Sequence, residues 1–283
     1  MKRVLILLIV FVFTIETNSN NNVFNEITIP KIFKIEKTFS GDISDTNSFH
    51  LIFTKNKKTK DYVVFTYVYD GSKIIELPDF ITSKHATILS YHNKNGILTL
   101  LVSNRLSKKS FLTKVDYNLV SNKVTKSMSL NHVNFEKVLR EKERSVLIYK
   151  SDDFLTVKSF IGNADADVKI LTINKLDVIN DYFRDNYIGA VKTDEFIKNG
   201  STTRFKLYLH RNELIFTKDT KLFANTEVIK LNLDADKLFV KESSFDNDLN
   251  EETIQIGSFY SNQLLYQFIL KSEKSYISIF NIW

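Results

Sequence analysis

Residues 98–124 read LTLLVSNRLSKKSFLTKVDYNLVSNKV, and this stretch decides the fold class. An apolar run is followed by a polar loop, then by an alternating apolar and polar segment, an Asn-rich turn and a third apolar segment. Alternation with a period of two is typical of a β-strand that has one buried face. Short polar stretches rich in Asn and Gly between such segments favour hairpin turns. The stretch therefore predicts three antiparallel strands in sequence.

The same pattern occurs five times along the chain. The copies begin at His50, Leu98, Phe154, Ile188 and Ile254, with a mean spacing of 51 residues. Sequences that can form a fourth strand lie between copies, at 86–91 (ATILSY), 145–149 (SVLIY) and 228–233 (VIKLNL). This period is typical of propeller blades, each a four-stranded sheet. We predict an all-β, propeller-like array of antiparallel four-stranded sheets with about five degenerate repeats. A β-sandwich is the alternative, because turn signals do not report which sheet a strand joins.

Two segments predict short helical inserts between repeats. Residues 131–144 place Phe135, Val138 and Leu139 on one helical face, with i,i+4 charge pairs alongside. Residues 174–185 have Asn174 as an N-cap candidate, followed by an apolar face.

The N-terminus predicts export. Residues 1–19 have the form of a signal peptide, with Lys2 and Arg3 before twelve uncharged, mostly apolar residues. Residues 20–26 form a polar linker, and 27–283 are predicted to be a single domain, with 27–39 as an edge strand. The last strand either closes a ring with the N-terminal strand or marks a chain truncated at its C-terminus. With no cysteine, this domain has no disulfide framework and depends on an apolar core. We expect a secreted or periplasmic, cell-envelope location, and membrane contact only if the signal remains uncleaved.

The candidate binding residues are basic and lie in equivalent loops of the first two copies. In a propeller such loops emerge on the same face, so the two groups are predicted to be neighbours able to hold a polyanion such as an acidic glycan. The alternative is a hairpin edge that lysines protect against aggregation. No nucleic-acid partner is expected, because the net charge of +6 accompanies a general bias towards Lys, Asn, Ile and Phe. The residues are Lys55, Lys57, Lys58, Lys60, Arg105, Lys108 and Lys109.

Sequence motifs for catalysis are absent, and neither a cofactor nor a metal site is predicted. There is no Gly-x-Ser-x-Gly, phosphate-loop or His-Glu-x-x-His motif. A glycosidase needs only two suitably spaced carboxyls, which a central cleft can gather. The available acids near predicted strand ends are Asp70, Asp116, Asp194 and Glu213.

Two short segments, 253–261 (TIQIGSFYS) and 114–122 (KVDYNLVSN), resemble blade segments of poorly characterised exported bacterial proteins of propeller type. The chain lacks the Gly-His and Trp-Asp marks of the best-known repeat propellers and the Asp-box of sialidase-like ones. The resemblance implies a repeat fold and no activity. The predicted function is therefore a non-enzymatic binding or surface-interaction module, whose partner is a polyanion, a glycan or an envelope protein. Alternatives are a carbohydrate-active hydrolase with carboxylates in a central cleft and a structural envelope protein.

Overall fold

The computed structural model describes residues 27–106, 109–129, 137–151, 154–162, 166–172, 188–190, 204–220, 224–234, 240–245 and 255–282. Within these ranges, twenty β-strands form five sheets, which we number 1 to 5 in chain order. The predicted signal peptide, the linker and the second predicted helix, at 174–185, lie outside the described residues.

Neighbouring strands of each sheet are also neighbours in sequence. Sheet 1 contains β1 (Phe33–Asp42), β2 (Ser48–Asn56), β3 (Tyr62–Tyr69) and β4 (Ile74–Thr82). Sheet 2 contains β5 (Thr87–Lys94), β6 (Ile97–Leu106), β7 (Lys109–Asn118) and β8 (Lys123–Ser129). Sheet 3 contains β9 (Lys137–Glu141), β10 (Arg144–Lys150), β11 (Phe154–Ile161) and β12 (Asp167–Thr172). Sheet 4 contains β13 (Ile188–Ala190), β14 (Phe205–His210), β15 (Glu213–Thr220), β16 (Asn225–Asn232) and β17 (Val240–Phe245). Sheet 5 contains β18 (Gln255–Ser261), β19 (Leu264–Leu270) and β20 (Ser275–Asn281). The pairs are antiparallel, except that β13 lies parallel to β14.

Residues that follow one another on the inner strands face different neighbouring sheets. Leu100 packs into a core cluster shared by sheets 1 and 2, whereas Leu101 packs into one shared by sheets 2 and 3. Leu207 contributes to the core between sheets 3 and 4, and Tyr208 to the core between sheets 4 and 5. These strands are buried on both faces, which explains why their sequences are mostly apolar rather than alternating.

The sheets therefore stack face to face in chain order, which confirms the all-β, propeller-like array and is inconsistent with a two-sheet sandwich. Sheets 1 to 3 have the expected four strands. Sheet 4 has five strands, and sheet 5 has three within the described residues.

The helix predicted at 131–144 is wrong over the residues that the structure describes. Residues 137–144 form β9, a two-residue turn and the first residue of β10, and 131–136 lie outside the described part. Leu139 pairs with Val146 and is 1% exposed in the core between sheets 3 and 4. Burying such a side chain contributes about 1.5–3 kcal/mol. Each i,i+4 ion pair on a helix offers only about 0.2–0.5 kcal/mol, so tertiary packing decides the local structure.

The chain ends do not share a sheet within the described residues. The predicted edge strand is β1, which pairs with β2, while β20 pairs with β19. The interpretation that the first and last strands pair to close a ring is therefore wrong for the described strands. The alternation of apolar and polar residues predicted the positions of these strands in the sequence, but it did not indicate which strands they pair with.

Candidate functional site

Turns of sheets 1, 3, 4 and 5 line one cavity of about 1170 Å³, together with Lys94, which precedes the β5–β6 turn of sheet 2. Each of these turns joins the first two antiparallel neighbours of its sheet, counting β14 and β15 in sheet 4. We call this end of the molecule the turn end, and the space the turn-end cavity. The lining includes residues 42–45, Lys94, residues 140–144, Tyr208, residues 210–212 and residues 259–262.

Three of these turns are two-residue hairpins with positive φ at both central residues. The φ angles are 52° and 74° at Asn95 and Gly96, 44° and 68° at Arg211 and Asn212, and 49° and 68° at Asn262 and Gln263. Positive φ at both positions is typical of a type I′ turn, whose twist matches that of the flanking strands. The backbone N–H of Arg211 also donates to Glu141 Oε1 at 2.6 Å, which fixes the turn of sheet 4 against sheet 3. The cavity is therefore bounded by short, well-anchored turns.

Arg144 begins β10 and has only 9% of its side chain exposed. Its Nη2 donates to Asp234 Oδ1 at 3.3 Å, and Asp234 also accepts a hydrogen bond from the Asn212 amide. The Nη1 atom is buried and has no hydrogen-bond partner among the described residues. One half of the guanidinium is thus held by Asp234, while the other half retains its donors.

Three further polar side chains of the cavity lining carry a buried atom without a hydrogen bond. They are Tyr208 on β14, His210 at the end of β14, and Tyr260 on β18, and the atoms are Tyr208 OH, His210 Nε2 and Tyr260 OH. The ring centres of Tyr208 and Tyr260 are 5.7 Å apart, and so are those of His210 and Tyr260. The Tyr208 hydroxyl lies near the Tyr260 backbone and the Thr217 hydroxyl, and the Tyr260 hydroxyl lies near the Gln263 backbone. These contacts lower the pKa of each hydroxyl but are not hydrogen bonds of regular geometry. We call Arg144, Tyr208, His210 and Tyr260 the orphan cluster.

Burial shifts the pKa of each aromatic member of the orphan cluster in the direction that favours its neutral form. It raises the pKa of the Tyr208 hydroxyl and raises that of Tyr260 to about 12. Desolvation lowers the pKa of His210, although Glu141 opposes this effect. The cluster therefore combines one guanidinium cation with three neutral hydrogen-bonding groups.

A second arginine reaches the cavity from sheet 3. The Arg140 guanidinium lies 3.6 Å from the centre of the Tyr91 ring, a cation–π contact. Tyr91 is held edge-on against Phe49 with 4.7 Å between ring centres. A Cβ atom at Gly41 would lie 2.6 Å from the Phe49 ring and closer still to Tyr91, so only glycine allows β1 to approach this stack. The stack positions Arg140 at the cavity.

Carboxylates also line the cavity, so its charge is mixed. Glu143 lies 3.6 Å from the Lys94 ammonium, and Glu141 accepts the Arg211 N–H described above. The acidic lining residues are Asp42, Asp45, Glu141 and Glu143, and the basic ones are Lys94, Arg140, Lys142, Arg144 and Arg211. Such a lining suits a polar ligand rather than an apolar one.

A buried Ser–His contact nearby is structural. His92 Nδ1 lies 2.9 Å from Ser145 Oγ, and the Gly162 N–H donates to His92 Nε2 at 3.1 Å. Because Nε2 accepts, the ring proton is assigned to Nδ1, which donates to the serine and so does not act as its base. Burial lowers the pKa of His92 to about 4. The pair joins sheets 2 and 3 and is not an activated nucleophile.

The basic loops predicted from sequence lie at the opposite end of the sheets. They connect β2 to β3 and β6 to β7, whereas the turn-end cavity receives the connections before β2 and β6. Lys57 donates to the Lys31 carbonyl at 2.8 Å, and Lys60 to the Lys57 carbonyl at 2.7 Å. Lys55 lies 5.6 Å from the Tyr62 ring centre. These three lysines therefore have local contacts within sheet 1.

The remaining predicted basic residues are less constrained by the structure. Lys58 is exposed, and the Arg105 backbone N–H donates to Ser83 Oγ at 3.3 Å. Lys109 begins β7, and Lys108 lies outside the described residues. The two loops occupy equivalent positions in adjacent sheets, as the repeat predicts, and their binding role stays a prediction.

The acids predicted as hydrolase candidates are elsewhere. Asp70 accepts hydrogen bonds from Ser72 and the Lys73 N–H in the β3–β4 turn, and these lower its pKa. Asp116 lies 3.1 Å from the Lys114 ammonium, and Glu213 lies 3.6 Å from that of Lys230. None of these three described acids belongs to the cavity lining, and Asp194 lies outside the described residues.

The structure also bears on metals and membranes. Within the described ranges, no three His, Asp or Glu side chains are grouped so that they could hold a metal ion. Among the same residues there is no helix with the length and apolar character needed to span a bilayer.

No protein-family model matches the chain. No curated protein matches it either. Among solved structures, it resembles the β-propeller domain of the Trilobed protease from Pyrococcus furiosus, with 8% identity and a TM-score of 0.34 over 89% of this chain and 82% of that one. It also resembles a putative glycoside hydrolase from Parabacteroides distasonis (8% identity, TM-score 0.29, 83% and 84% of the two chains). A third similar structure is a GH43_1 enzyme from Xanthomonas citri (8% identity, TM-score 0.29, 81% and 80% of the two chains). TM-scores this low carry no argument about activity, so the sheet topology is what identifies the architecture.

The orphan cluster was missed in the sequence because its members are far apart along the chain. Tyr208 and Tyr260 lie within apolar runs that read as core. The available signal was positional: Arg144, His210 and Tyr260 each lie within two residues of the turn between the first two antiparallel strands of a sheet. Aligning the copies on that turn, rather than on their apolar runs, would have brought them together.

Proposed function

We propose that this chain is an exported, non-enzymatic binding module whose ligand occupies the turn-end cavity. The observation that carries the proposal is the convergence of residues in or next to equivalent turns of five sheets on a space of about 1170 Å³. Small-molecule pockets commonly have volumes of about 300–1000 Å³. The cavity therefore has room for an extended polar ligand such as an oligosaccharide. Loops held by a rigid β scaffold are where such folds place their binding residues.

The lining has the chemistry that a glycan requires. Ser44, Asn212, Ser261 and Asn262 carry groups that can bond to sugar hydroxyls, and the half-buried ring of Phe259 offers an apolar surface. Charged side chains of both signs surround these groups. A ligand that displaces water from these groups must replace the hydrogen bonds that they made to water, and a polar ligand can do so whereas an apolar one cannot.

Blocking the cavity tests this function. Lys142 is exposed in the β9–β10 turn and lines the cavity, so Lys142→Trp places a large ring there. Lys58→Trp is the matched control at the opposite end. Glycan-array screening of the purified protein, followed by calorimetric titration, should show at least one ligand that Lys142→Trp weakens by about tenfold or more and Lys58→Trp leaves unchanged. Loss of binding in Lys58→Trp alone would move the site to the basic loops and contradict the proposal.

A carbohydrate-active hydrolase is a second candidate, favoured by the carboxylates at the cavity. Asp42 and Asp45 come from sheet 1, and Glu141 and Glu143 from sheet 3, so the acids face the space from two sides. Paired carboxyls on either side of a glycosidic bond are what hydrolysis requires. Reducing-sugar release from the ligands found above, compared with Asp42→Asn and Glu143→Gln, decides between the two functions. Turnover by the wild type that either variant abolishes identifies an enzyme, and its absence with binding retained supports the binding module.

Export and the basic loops are parts of the same proposal. Residues 1–19 are proposed to direct secretion to the periplasm or cell envelope, where glycans and envelope proteins are accessible partners. The loops with Lys58 and Arg105 are proposed as a second contact for a polyanion. Expression with the natural N-terminus in a bacterial host, followed by mass spectrometry of the exported fraction, tests the cleavage after residue 19.

A further inference from the structure

We infer that the orphan cluster is a subsite for a carboxylate, so that the ligand of the turn-end cavity is an acidic, uronate-type oligosaccharide. The inference rests on the proposed binding function and adds the charge of the ligand to it. Its basis is the group of four residues in one cavity lining, Arg144, Tyr208, His210 and Tyr260, each of which has a buried polar atom without a hydrogen-bond partner among the described residues.

Buried polar atoms without partners are uncommon in folded proteins, because each loses its hydration without compensation. The two tyrosines are 1% and 2% exposed. Phenylalanine at either position would preserve the ring packing and lack only the hydroxyl. Keeping them in this cavity lining is consistent with a bound partner that supplies the missing hydrogen bonds.

The kinds of atom define the partner. Arg144 Nη1 offers N–H donors, and each phenol offers an O–H donor, so the complementary group is rich in acceptors. A carboxylate has two acceptor oxygens and a charge opposite to that of Arg144, which makes the hydrogen bonds charge-assisted. A neutral sugar hydroxyl offers weaker bonds and leaves the unpaired half of the guanidinium poorly matched.

Nearby acids do not already occupy this role. Asp234 takes the other half of Arg144 through Nη2, and Glu141 Oε1 takes the Arg211 backbone N–H. A ligand carboxylate would share Arg144 with Asp234, with one guanidinium nitrogen for each. Arg140, near the end of β9, and Arg211, in the β14–β15 turn, also line the cavity and add positive charge to it.

Hydroxyl deletion tests the subsite without removing a structural contact. The probes are trimers of galacturonate, glucuronate and mannuronate, each compared with its methyl ester, which has no charge and adds only a methyl group at each carboxyl. Wild-type protein should bind at least one acid about 10- to 100-fold more tightly than its ester. Tyr208→Phe and Tyr260→Phe should each weaken the acid about tenfold and change binding of the ester little, with an unchanged or raised Tm.

Charge variants provide the matched comparison. Arg144→Gln should reduce the preference for acid over ester to near unity, whereas Lys84→Gln removes one exposed positive charge from the β4–β5 connection, outside the cavity lining, and should leave the preference unchanged. Equal binding of acid and ester by the wild type overturns the subsite and leaves the binding function standing. Retention of full acid affinity in both phenylalanine variants also overturns it. If neither the acids nor neutral oligosaccharides bind, the binding function and the subsite fail together.

Discussion

The buried ion pair between Lys206 and Asp219 predicts that two apparently similar substitutions will have unequal effects. Lys206 Nζ lies 2.5 Å from Asp219 Oδ2, and the two side chains are 1% and 3% exposed. Asp219 has two further donors: Thr226 Oγ1 donates to Oδ1 at 2.8 Å, and the Ser258 N–H of sheet 5 donates to Oδ2 at 2.9 Å. The carboxylate therefore bonds to Lys206 and Thr226 within sheet 4 and links them to Ser258 in sheet 5.

Asp219→Asn leaves the Lys206 ammonium buried without a counter-charge. It also places the amide N–H₂, which is a donor, opposite either the Thr226 hydroxyl or the Ser258 N–H, which donate to the carboxylate in the wild type. Removing one partner of a buried pair costs about 3–5 kcal/mol. Lys206→Met keeps the side-chain volume and leaves the carboxylate with its hydrogen bonds from Thr226 and Ser258. This substitution also leaves a buried charge without its counter-charge, so it should cost about 3–5 kcal/mol as well, but the two retained hydrogen bonds should place it at the lower end of that range and make it the more stable of the two variants.

Urea unfolding at pH 7, followed by circular dichroism, measures the free energy of unfolding of each variant and of the double variant. The double variant should be more stable than Asp219→Asn alone, because it no longer buries an unpaired ammonium. The coupling free energy between the two sites should reach about 1–3 kcal/mol. Additive losses, or a smaller loss for Asp219→Asn than for Lys206→Met, would refute this account of the pair.

Three further predictions concern other parts of the fold. Burial lowers the pKa of His92 to about 4 from its usual 6.5. As the pH falls, the unfolded state therefore binds a proton before the folded state does. The free energy of unfolding should fall by about 3 kcal/mol as the pH drops from 7 to below 4. His92→Gln should flatten that urea-midpoint profile, and an equal acid loss in both proteins would contradict the assignment. Gly41→Ala forces a methyl group against the Phe49 and Tyr91 rings and should lower the stability measured by thermal unfolding by about 1–3 kcal/mol. The control Thr38→Ala, on the same strand, should lower it little. Equal Tm values for the two variants would contradict the close approach of β1 to the rings. Lys58→Ser should leave Tm within about 1 °C of the wild-type value, since the side chain is exposed, and a larger drop would assign it a structural contact.

The repeat could be predicted because the inner strands are buried on both faces. Residues 98–102 and 145–149 are apolar apart from Thr99 and Ser145, and the structure places neighbouring apolar residues of these runs in different intersheet cores. The Asn-Gly turn at 95–96 also indicated its hairpin correctly. These are local signals, and the fold class depends mainly on them.

The grouping of strands could not be read from the same signals. The copy that begins at Phe154 starts at β11, the third strand of its sheet, whereas the copy at Leu98 lies at the second strand, β6. Alternation is the same in either position, so the phase of the repeat was lost. At 137–144 the local signal was misleading. The charge pairs of a helix would stabilise this segment less than the burial of Leu139 in a strand does.

The candidate site depends on contacts between residues far apart in sequence. Arg144 and Tyr260 are brought together only by the stacking of sheets 3 to 5, and neither lies in a recognisable motif. The basic loops stood out in sequence because charge is visible there, whereas a buried hydroxyl without a partner is visible only in three dimensions.

A crystal structure of the protein grown with the tightest-binding oligosaccharide tests the central claim most directly. The account predicts density for the ligand in the turn-end cavity, with an acidic group within hydrogen-bonding distance of Arg144 Nη1 and of the Tyr208 or Tyr260 hydroxyl. Ligand density at the β2–β3 and β6–β7 loops, with the turn-end cavity empty, would contradict it.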